Sequence, residues 1–150
     1  YAFRKMKDIK NKTRYSNLAV LSALTISAPF FAIMVGGTFK DSIVSFVVMA
    51  VEAAFLLFIG RYKVIYFLTN FLGAFISTVL VMTLAKFFLI HNPVSIIIVS
   101  LMPLVPGVQI TNSVRDFMAG DYLSGIIGVQ SAIFVSIAIA LGVVMGLKIV

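Results

Sequence analysis

The 150-residue sequence contains no cysteine. Disulfide bonds, thiolate metal sites and cysteine nucleophiles are therefore excluded. Its single histidine, His91, falls in a predicted loop, and no second histidine or cysteine lies near it. Because protein metal sites are built from several such ligands, the sequence predicts no metal site and no cofactor.

Acidic residues are also scarce, with five in the whole chain. The closest pair, Asp116 and Asp121, is five residues apart, which separates the two side chains by about 140° around a continuous helix. They are poorly placed to chelate magnesium together. An enzyme acting on lipid headgroups would need a denser cluster of acids or histidines. The sequence therefore indicates a protein that is not an enzyme.

Charged residues of both signs make up only 11% of the chain, whereas hydrophobic residues make up 61%. A soluble globular domain has about a quarter charged and about half apolar residues. Uncharged stretches of about 20 residues, the length that crosses a bilayer as a helix, recur along almost the whole sequence. The composition therefore predicts an all-α integral membrane protein, a polytopic bundle of transmembrane helices.

Short polar stretches divide this bundle into about five spans, for example GRYK after the second and HNP before the fourth. Residues 17–150 are predicted to form one transmembrane domain. Residues 1–16 are predicted to be a basic cytoplasmic lead-in helix, the end of a segment removed upstream. The spans are predicted near residues 17–37, 42–59, 64–85, 94–114 and 123–147.

The net charge of +7 is concentrated at the start of the chain, where the first fourteen residues hold six of the twelve lysines and arginines. Such a cluster before an apolar run is explained by membrane orientation and anionic lipid, so no nucleic-acid partner is predicted. With five crossings, nine basic residues lie on the side of this cluster and three on the other. The positive-inside rule then predicts a cytoplasmic N-terminus and an external C-terminus.

Pro103, Pro106 and Gly107 interrupt the fourth span. Each proline lacks an amide donor and clashes with the carbonyl four residues earlier, which would free the acceptors of Val99 and Met102. In a membrane, freed backbone groups are tolerated where they are buried in protein or line a wet cavity. Broken helices of this kind form substrate sites in transporters. A proline kink packed by neighbouring helices is the alternative.

A polar face follows the break. If a helix restarts there, Gln109, Asn112 and Asp116 lie on one face, and Thr111 and Arg115 form a second polar row beside it. This is the surface that a hydrophilic small molecule would need, and Asp116 is a candidate for proton coupling. A salt bridge between Asp116 and Arg115 or a cytoplasmic lysine is the alternative.

Glu52 lies near the middle of the second span. An acid at this depth is by default a functional candidate such as a proton relay. The alternatives are a buried pairing with Lys86, with Arg61 or with a polar side chain, or a neutral, protonated glutamate.

Gly120 and Asp121 lie just before the last span and are residue types that end and begin helices. Gly120 is predicted to end a short helix. Asp121 is predicted to cap the next helix, with Ser124 at its third position.

Small residues recur every four positions on three spans. Such faces let helices pack closely in lipid, where the hydrophobic effect does not press them together. The longest row would also be the binding face of a non-transporting membrane scaffold, which is the alternative function. The rows are Ala28, Ala32 and Gly36; Thr69, Gly73 and Ser77; and Ser124, Gly128, Ala132, Ser136 and Ala140.

Two stretches resemble the threonine/serine exporter family. In LMPLVPGVQITNSVRDFMAGDYLSGI, a Pro-Gly break is followed by Asn, by Asp, and by Gly-Asp and Ser-Gly steps into the last helix. In PFFAIMVGGTFKDSIVSF, a Gly-Gly turn and an acidic residue join the first two spans. The residues that match the family's motif are Pro103, Pro106, Gly107, Asn112, Asp116, Gly120, Asp121, Ser124 and Gly125.

The resemblance implies a proton-driven secondary transporter of the bacterial cytoplasmic membrane. It would export small hydrophilic metabolites, either threonine- and serine-like amino acids or dicarboxylates. A second small membrane subunit or a homo-oligomer is expected, because the chain represents half of a pathway. Glu52 and Asp116 are the proton-coupling candidates, and Gly120, Asp121 and Gly125 are assigned to the helix cap. The residues assigned to the transport path are Pro103, Pro106, Gly107, Gln109, Thr111, Asn112, Arg115, Asp116 and Ser124.

Overall fold

The computed structural model describes residues 16–60, 65–88 and 90–150. All regular secondary structure in these residues is helical, which confirms the all-α prediction. Apart from Ser16, the predicted lead-in helix lies outside the described residues, as do Arg61 and Lys63. The helices are α1 (Asn17–Met34), α2 (Phe39–Ile59), α3 (Tyr66–Phe87), α4 (Pro93–Leu101), α5 (Gly107–Met118) and α6 (Tyr122–Ile149).

Three of these helices are long and apolar enough to cross a membrane on their own. They are α2, α3 and α6, with 21, 22 and 28 residues. Helix α1 is apolar but shorter, and the fourth predicted span is divided into α4 with 9 residues and α5 with 12. The described residues thus support a helical membrane protein with three candidate crossings, while the count of five stays a prediction.

Local sequence determines where several helices begin. Thr38 and Asp41 form a capping box at the start of α2, in which each side chain accepts a hydrogen bond from the other residue's amide. Asn92 caps α4, and Pro93 occupies its first position, where a missing amide donor is tolerated. Helix α5 differs from the other helices in having one polar and one apolar side.

The most extensive contact in the bundle joins α3 and α6. Small residues on α6 let the two backbones approach closely. A Cβ added to Gly142 would lie 2.5 Å from the Phe71 carbonyl oxygen, and one added to Gly146 would lie 2.8 Å from the Thr78 Cβ. Ala138, one turn before Gly142, is fully buried. This close packing is the usual means of helix adhesion in lipid.

The α3–α6 contact changes the interpretation of the small-residue row on the last span. Ala132 is buried inside the chain, but Ser136 and Ala140 are exposed. The row that meets α3 comprises Ala138, Gly142 and Gly146 instead. Both rows have the same spacing, so the sequence could not distinguish them. Of the row assigned to the scaffold alternative, Ala132 is buried, whereas Ser124, Ser136 and Ala140 are exposed, and that alternative stays a prediction.

Helices α1 and α2 form a second close pair. Ala28 and Ala32 have no exposed surface and pack with Met49 of α2 and Val99 of α4. The turn between α1 and α2 places Gly36 at a φ of +91°, a left-handed conformation that glycine adopts without steric penalty. The Gly-Gly sequence therefore reverses the chain and brings α4 against both helices.

The fourth predicted span is interrupted at the predicted place. Helix α4 ends at Leu101 and α5 begins at Gly107, with turns and irregular backbone over residues 102–106. One predicted detail is wrong, because the Val99 carbonyl is not left free: the Met102 amide donates to it at 3.2 Å. The end of α4 tightens to a 3₁₀-type turn, which satisfies this acceptor despite the proline that follows.

Candidate functional site

Leu104 anchors the segment between α4 and α5 in the bundle. Its side chain is 3% exposed and packs with Ala74 of α3 and with Val135 and Ile139 of α6. It also lies against Gly73, where an added Cβ would be 3.2 Å from both Leu104 methyl groups. The break is therefore buried against protein, a setting in which an interrupted helix is tolerated in a membrane.

The residues predicted to line the transport path are divided between the interior and the surface of the chain. Gln109, Asn112 and Asp116 share one side of α5, on which Asn112 is exposed while the side-chain oxygen of Gln109 is buried. The described residues form no sheltered path around Asn112. Pro106 is buried; Pro103, Gln109 and Asp116 are half-buried; and Gly107, Thr111, Asn112, Arg115 and Ser124 are exposed.

The side of α5 next to this polar side carries Ser113 and Phe117 and packs tightly on α6. Ser113 is 2% exposed and lies so close to Gly128 that a Cβ added to this glycine would overlap the serine hydroxyl. Phe117 covers Gly125, where an added Cβ would lie 3.0 Å from the ring. These two contacts fix which side of α5 faces outward.

Gly125 is not part of the helix cap, to which the sequence analysis assigned it. Its amide donates the first helical hydrogen bond of α6 to the Asp121 carbonyl at 3.1 Å. The residue therefore lies inside the first turn of α6. A Cβ there would lie 3.0 Å from the Phe117 ring, so the ring would have to shift to admit a side chain.

Gly120 and Asp121 form the junction between α5 and α6. Gly120 has a φ of +84°, a left-handed conformation that favours glycine at the end of a helix. The Asp121 carboxylate accepts hydrogen bonds from the Ser124 hydroxyl at 2.7 Å and from the Ser124 amide at 3.2 Å. These bonds hold the pKa of Asp121 below its ordinary value of 3.8. The hydroxyl of Ser124, a predicted path residue, is thus engaged in the cap.

Arg115 and Asp116 are neighbours in sequence, but they do not pair with each other. Neither forms an ion pair within 4.0 Å with any residue of the described ranges. The Asp116 backbone carbonyl accepts a hydrogen bond from the Asp121 amide at 2.9 Å, which leaves the carboxylate unengaged by the α5–α6 junction. Both charges are therefore available to a ligand or to another protein.

Glu52 is buried in the bundle, with 2% of its surface exposed. The Ser77 hydroxyl donates to its Oε2 at 2.5 Å, whereas Oε1 is buried and has no hydrogen-bond partner among the described residues. Among the alternatives left open by the sequence, the structure shows pairing with a polar side chain. The Lys86 ammonium group instead donates to the carbonyl of Val150, and Arg61 lies outside the described residues.

Asp41 is a structural residue that the site prediction missed. Its carboxylate has no exposed surface and accepts hydrogen bonds from the Thr38 amide at 2.8 Å, the Thr38 hydroxyl at 2.7 Å and the His91 amide at 3.1 Å. The Thr-x-x-Asp spacing is a sequence signal for the capping box. No local pattern could have indicated the contact with His91, which is 50 residues away.

Among residues 16–60, 65–88 and 90–150, no group of three or more histidines or acids is arranged to hold a metal ion. The sequence profile of one protein family, described as "Putative threonine/serine exporter" (ThrE), matches residues 1–150. No curated protein and no solved structure matches the chain. The family suggested by the sequence motifs is thus confirmed over the whole length.

Proposed function

The chain belongs to the threonine/serine exporter family, and we propose that it is a secondary transporter that exports small hydrophilic metabolites. The proposed substrates are threonine- and serine-like amino acids or dicarboxylates, and the proposed driving force is the proton gradient. Family membership and the three apolar helices support a membrane transporter, without specifying its substrate or driving force. The proposed location is the bacterial cytoplasmic membrane.

The observation that carries this proposal is the open polar side of α5, directly after the break. Asn112 and Arg115 are exposed there and Asp116 is half-buried, between strongly apolar segments of chain. Polar and charged side chains are costly when they face lipid, so this side needs water or protein against it. A second copy or a small membrane subunit placed there would enclose a polar path.

The side chains on this surface suit a zwitterionic amino acid. Arg115 offers a cation for the α-carboxylate, and Asp116 offers an anion for the α-ammonium group. Asn112 carries both a donor and an acceptor for a substrate hydroxyl. A dicarboxylate would use Arg115 and would gain nothing from Asp116.

The proposed topology has five crossings, with α4 and α5 together forming the fourth. The N-terminus is placed in the cytoplasm and the C-terminus outside, in accord with the nine basic residues on the inner side and three on the outer. An odd number of crossings leaves the two termini on opposite sides. A following unit of the same kind would be inverted, as in transporters built from inverted repeats.

The proposal is tested by efflux of labelled serine, threonine and succinate from vesicles that contain the purified protein, with and without a candidate small subunit. We expect Asp116→Asn to abolish efflux while insertion and folding stay normal, because the substitution keeps the size of the side chain and removes its charge. Asp121→Asn is the matched control, since Asp121 belongs to the cap and should leave efflux intact.

Unaltered efflux in Asp116→Asn would remove Asp116 from the mechanism. Efflux that disappears equally in both aspartate variants would indicate loss of the α5–α6 junction, with no special role for Asp116. Wild-type vesicles that move none of the three labelled compounds, even with the small subunit present, would contradict the proposed substrate classes.

A further inference from the structure

We propose that Glu52 binds the proton that drives export, that Ser77 holds its carboxyl group in place, and that Leu104 separates this group from the helix break. The inference rests on the proposed function and makes it more specific. It moves proton binding from the surface of α5, where Asp116 lies, to the interior of the bundle.

The carboxyl group of Glu52 is buried and only partly hydrogen-bonded. One oxygen accepts a hydrogen bond from Ser77 and the other has no partner within the part of the chain that the structure describes, although only 2% of the residue is exposed. A buried carboxylate is normally paired with a cation or several donors, because its desolvation is otherwise uncompensated. The unpartnered Oε1 is therefore the atom at which a proton binds and neutralises the group.

Glu52 lies apart from the other titratable residues of the described helices. Helices α1 and α4 and residues 102–106 contain no titratable side chain. On its own helix, Lys40 and Asp41 lie in the first turn, far along the chain from Glu52. The titratable residues of the remaining described helices are near helix ends or on α5, namely Tyr66, Lys86, Arg115, Asp116, Tyr122 and Lys148. Among residues 16–60, 65–88 and 90–150, no fixed cation pairs with Glu52, so a bound proton is the compensation that fits the interior they form.

The Glu52 carboxyl group lies close to the segment that separates α4 from α5. A Cβ built on Gly73 would lie 3.8 Å from Glu52 Oε1 and 3.2 Å from both methyl groups of Leu104. The unpartnered oxygen and the leucine methyl groups thus lie within 4 Å of the same point beside Gly73. Leu104 belongs to the segment between α4 and α5, whose backbone lacks continuous helical hydrogen bonds.

These positions link proton binding to movement of the break. A non-helical segment between two helices can change its backbone angles without disrupting either helix, which is how discontinuous helices take part in alternating access. Displacement of Leu104 from Gly73 uncovers the carboxyl group, and its return closes the group off again. In this arrangement a proton enters or leaves Glu52 only when the α4–α5 segment moves.

The test uses the complete protein reconstituted in vesicles, as wild type and as Glu52→Gln, Ser77→Ala and Leu104→Ala variants. Infrared difference spectra recorded over a pH titration report a protonated carboxyl group through its C=O band. We expect the C=O band of Glu52 to be absent from the Glu52→Gln spectra. In Ser77→Ala we expect this band to appear at a different pH from that of the wild type. Identical spectra for wild type and Glu52→Gln would overturn the proposal.

Transport supplies the second readout. We expect Glu52→Gln to lose accumulation of labelled serine or threonine driven by an imposed pH gradient, while it still exchanges labelled for unlabelled substrate. We expect Leu104→Ala to let protons leak in the absence of substrate. Wild-type-like accumulation in Glu52→Gln, loss of exchange together with accumulation, or a wild-type response to sodium and not to pH would each overturn the proposal.

Failure of the two proposals can be told apart. If the wild type neither exchanges nor accumulates any labelled substrate, the proposed function fails, and the infrared band alone then decides whether Glu52 binds a proton. If the wild type transports and Glu52→Gln responds normally to the pH gradient, the proposed function stands and the role of Glu52 is wrong.

Discussion

At the scale of single residues, Asp41 shows how one carboxylate can join two distant parts of the chain. It caps α2 through Thr38 and accepts the His91 amide from the loop before α4. Its side chain accepts from three donors, so its removal takes away the acceptor of all three.

We expect Asp41→Ala to destabilise the protein by about 1–3 kcal/mol, since it removes one half of the capping box and the hydrogen bond that joins α2 to the loop before α4. Asp121→Ala is the comparison, because it removes an exposed cap that bonds only to Ser124 within the same turn. The melting temperature in detergent is the measurement. A smaller shift for Asp41→Ala than for Asp121→Ala would contradict the structural role given to Asp41.

Residue-level roles were predictable only where the signal is local. The Asp121 cap follows from an acid three residues before a helical serine, and the break follows from the missing amides of Pro103 and Pro106. The Ser77 partner of Glu52 lies on another helix, 25 residues away. No spacing rule connects two such positions before the packing of α2 on α3 is known.

At the scale of helices, α5 depends on its fit against α6. Apart from marginal contacts, it packs on no other described helix. The fit is closest where Ser113 meets Gly128, with no room for a further carbon atom between them. This contact determines the position of the whole helix, and with it the direction in which Asn112 points.

We expect Gly128→Ala to destabilise the protein by about 1–3 kcal/mol, because the added methyl group overlaps the Ser113 hydroxyl. In the double variant with Ser113→Ala, the nearest atom is the residue 113 Cβ at 3.2 Å, so most of the loss should be recovered. A thermodynamic cycle of both single variants and the double variant measures the coupling. Additive effects would mean that the two residues are not in contact.

Helix contacts were less predictable than helix positions. Apolar runs and breakers indicate where helices lie, whereas small residues at four-residue spacing occur on more than one side of α6. The structure uses Ala138, Gly142 and Gly146 against α3 and leaves Ser136 exposed. The choice depends on the shape of α3, in which the Phe71 carbonyl and Thr78 approach the glycines.

At the scale of the whole molecule, the open polar side of α5 suggests that one chain is not the complete exporter. The absence of cysteine provides a direct test, since any introduced thiol is unique. We expect Asn112→Cys in transport-competent vesicles to react with a water-soluble maleimide and to be protected by substrate, because the residue faces a hydrated path. Ile137→Cys, on the exposed apolar surface of α6, is the control and should react slowly.

Two results would argue against this arrangement. If Asn112→Cys reacts no faster than Ile137→Cys, the polar side of α5 does not face water in the assembled protein. If it reacts quickly and substrate gives no protection, the surface is hydrated but lies away from the path.

The one-sided support of α5 has a pharmacological consequence. Helix α5 is held by a single neighbour, with an irregular segment before it and Gly120 after it. It can therefore tilt while the contact of α1 with α4 and the contact of α3 with α6 stay intact. An apolar groove on α6, lined by Ile133 and Ser136, borders α5 at Ile110. We expect an apolar compound bound in this groove to block the tilt of α5 and inhibit transport. A higher substrate concentration would not relieve the inhibition, because the two bind at different places.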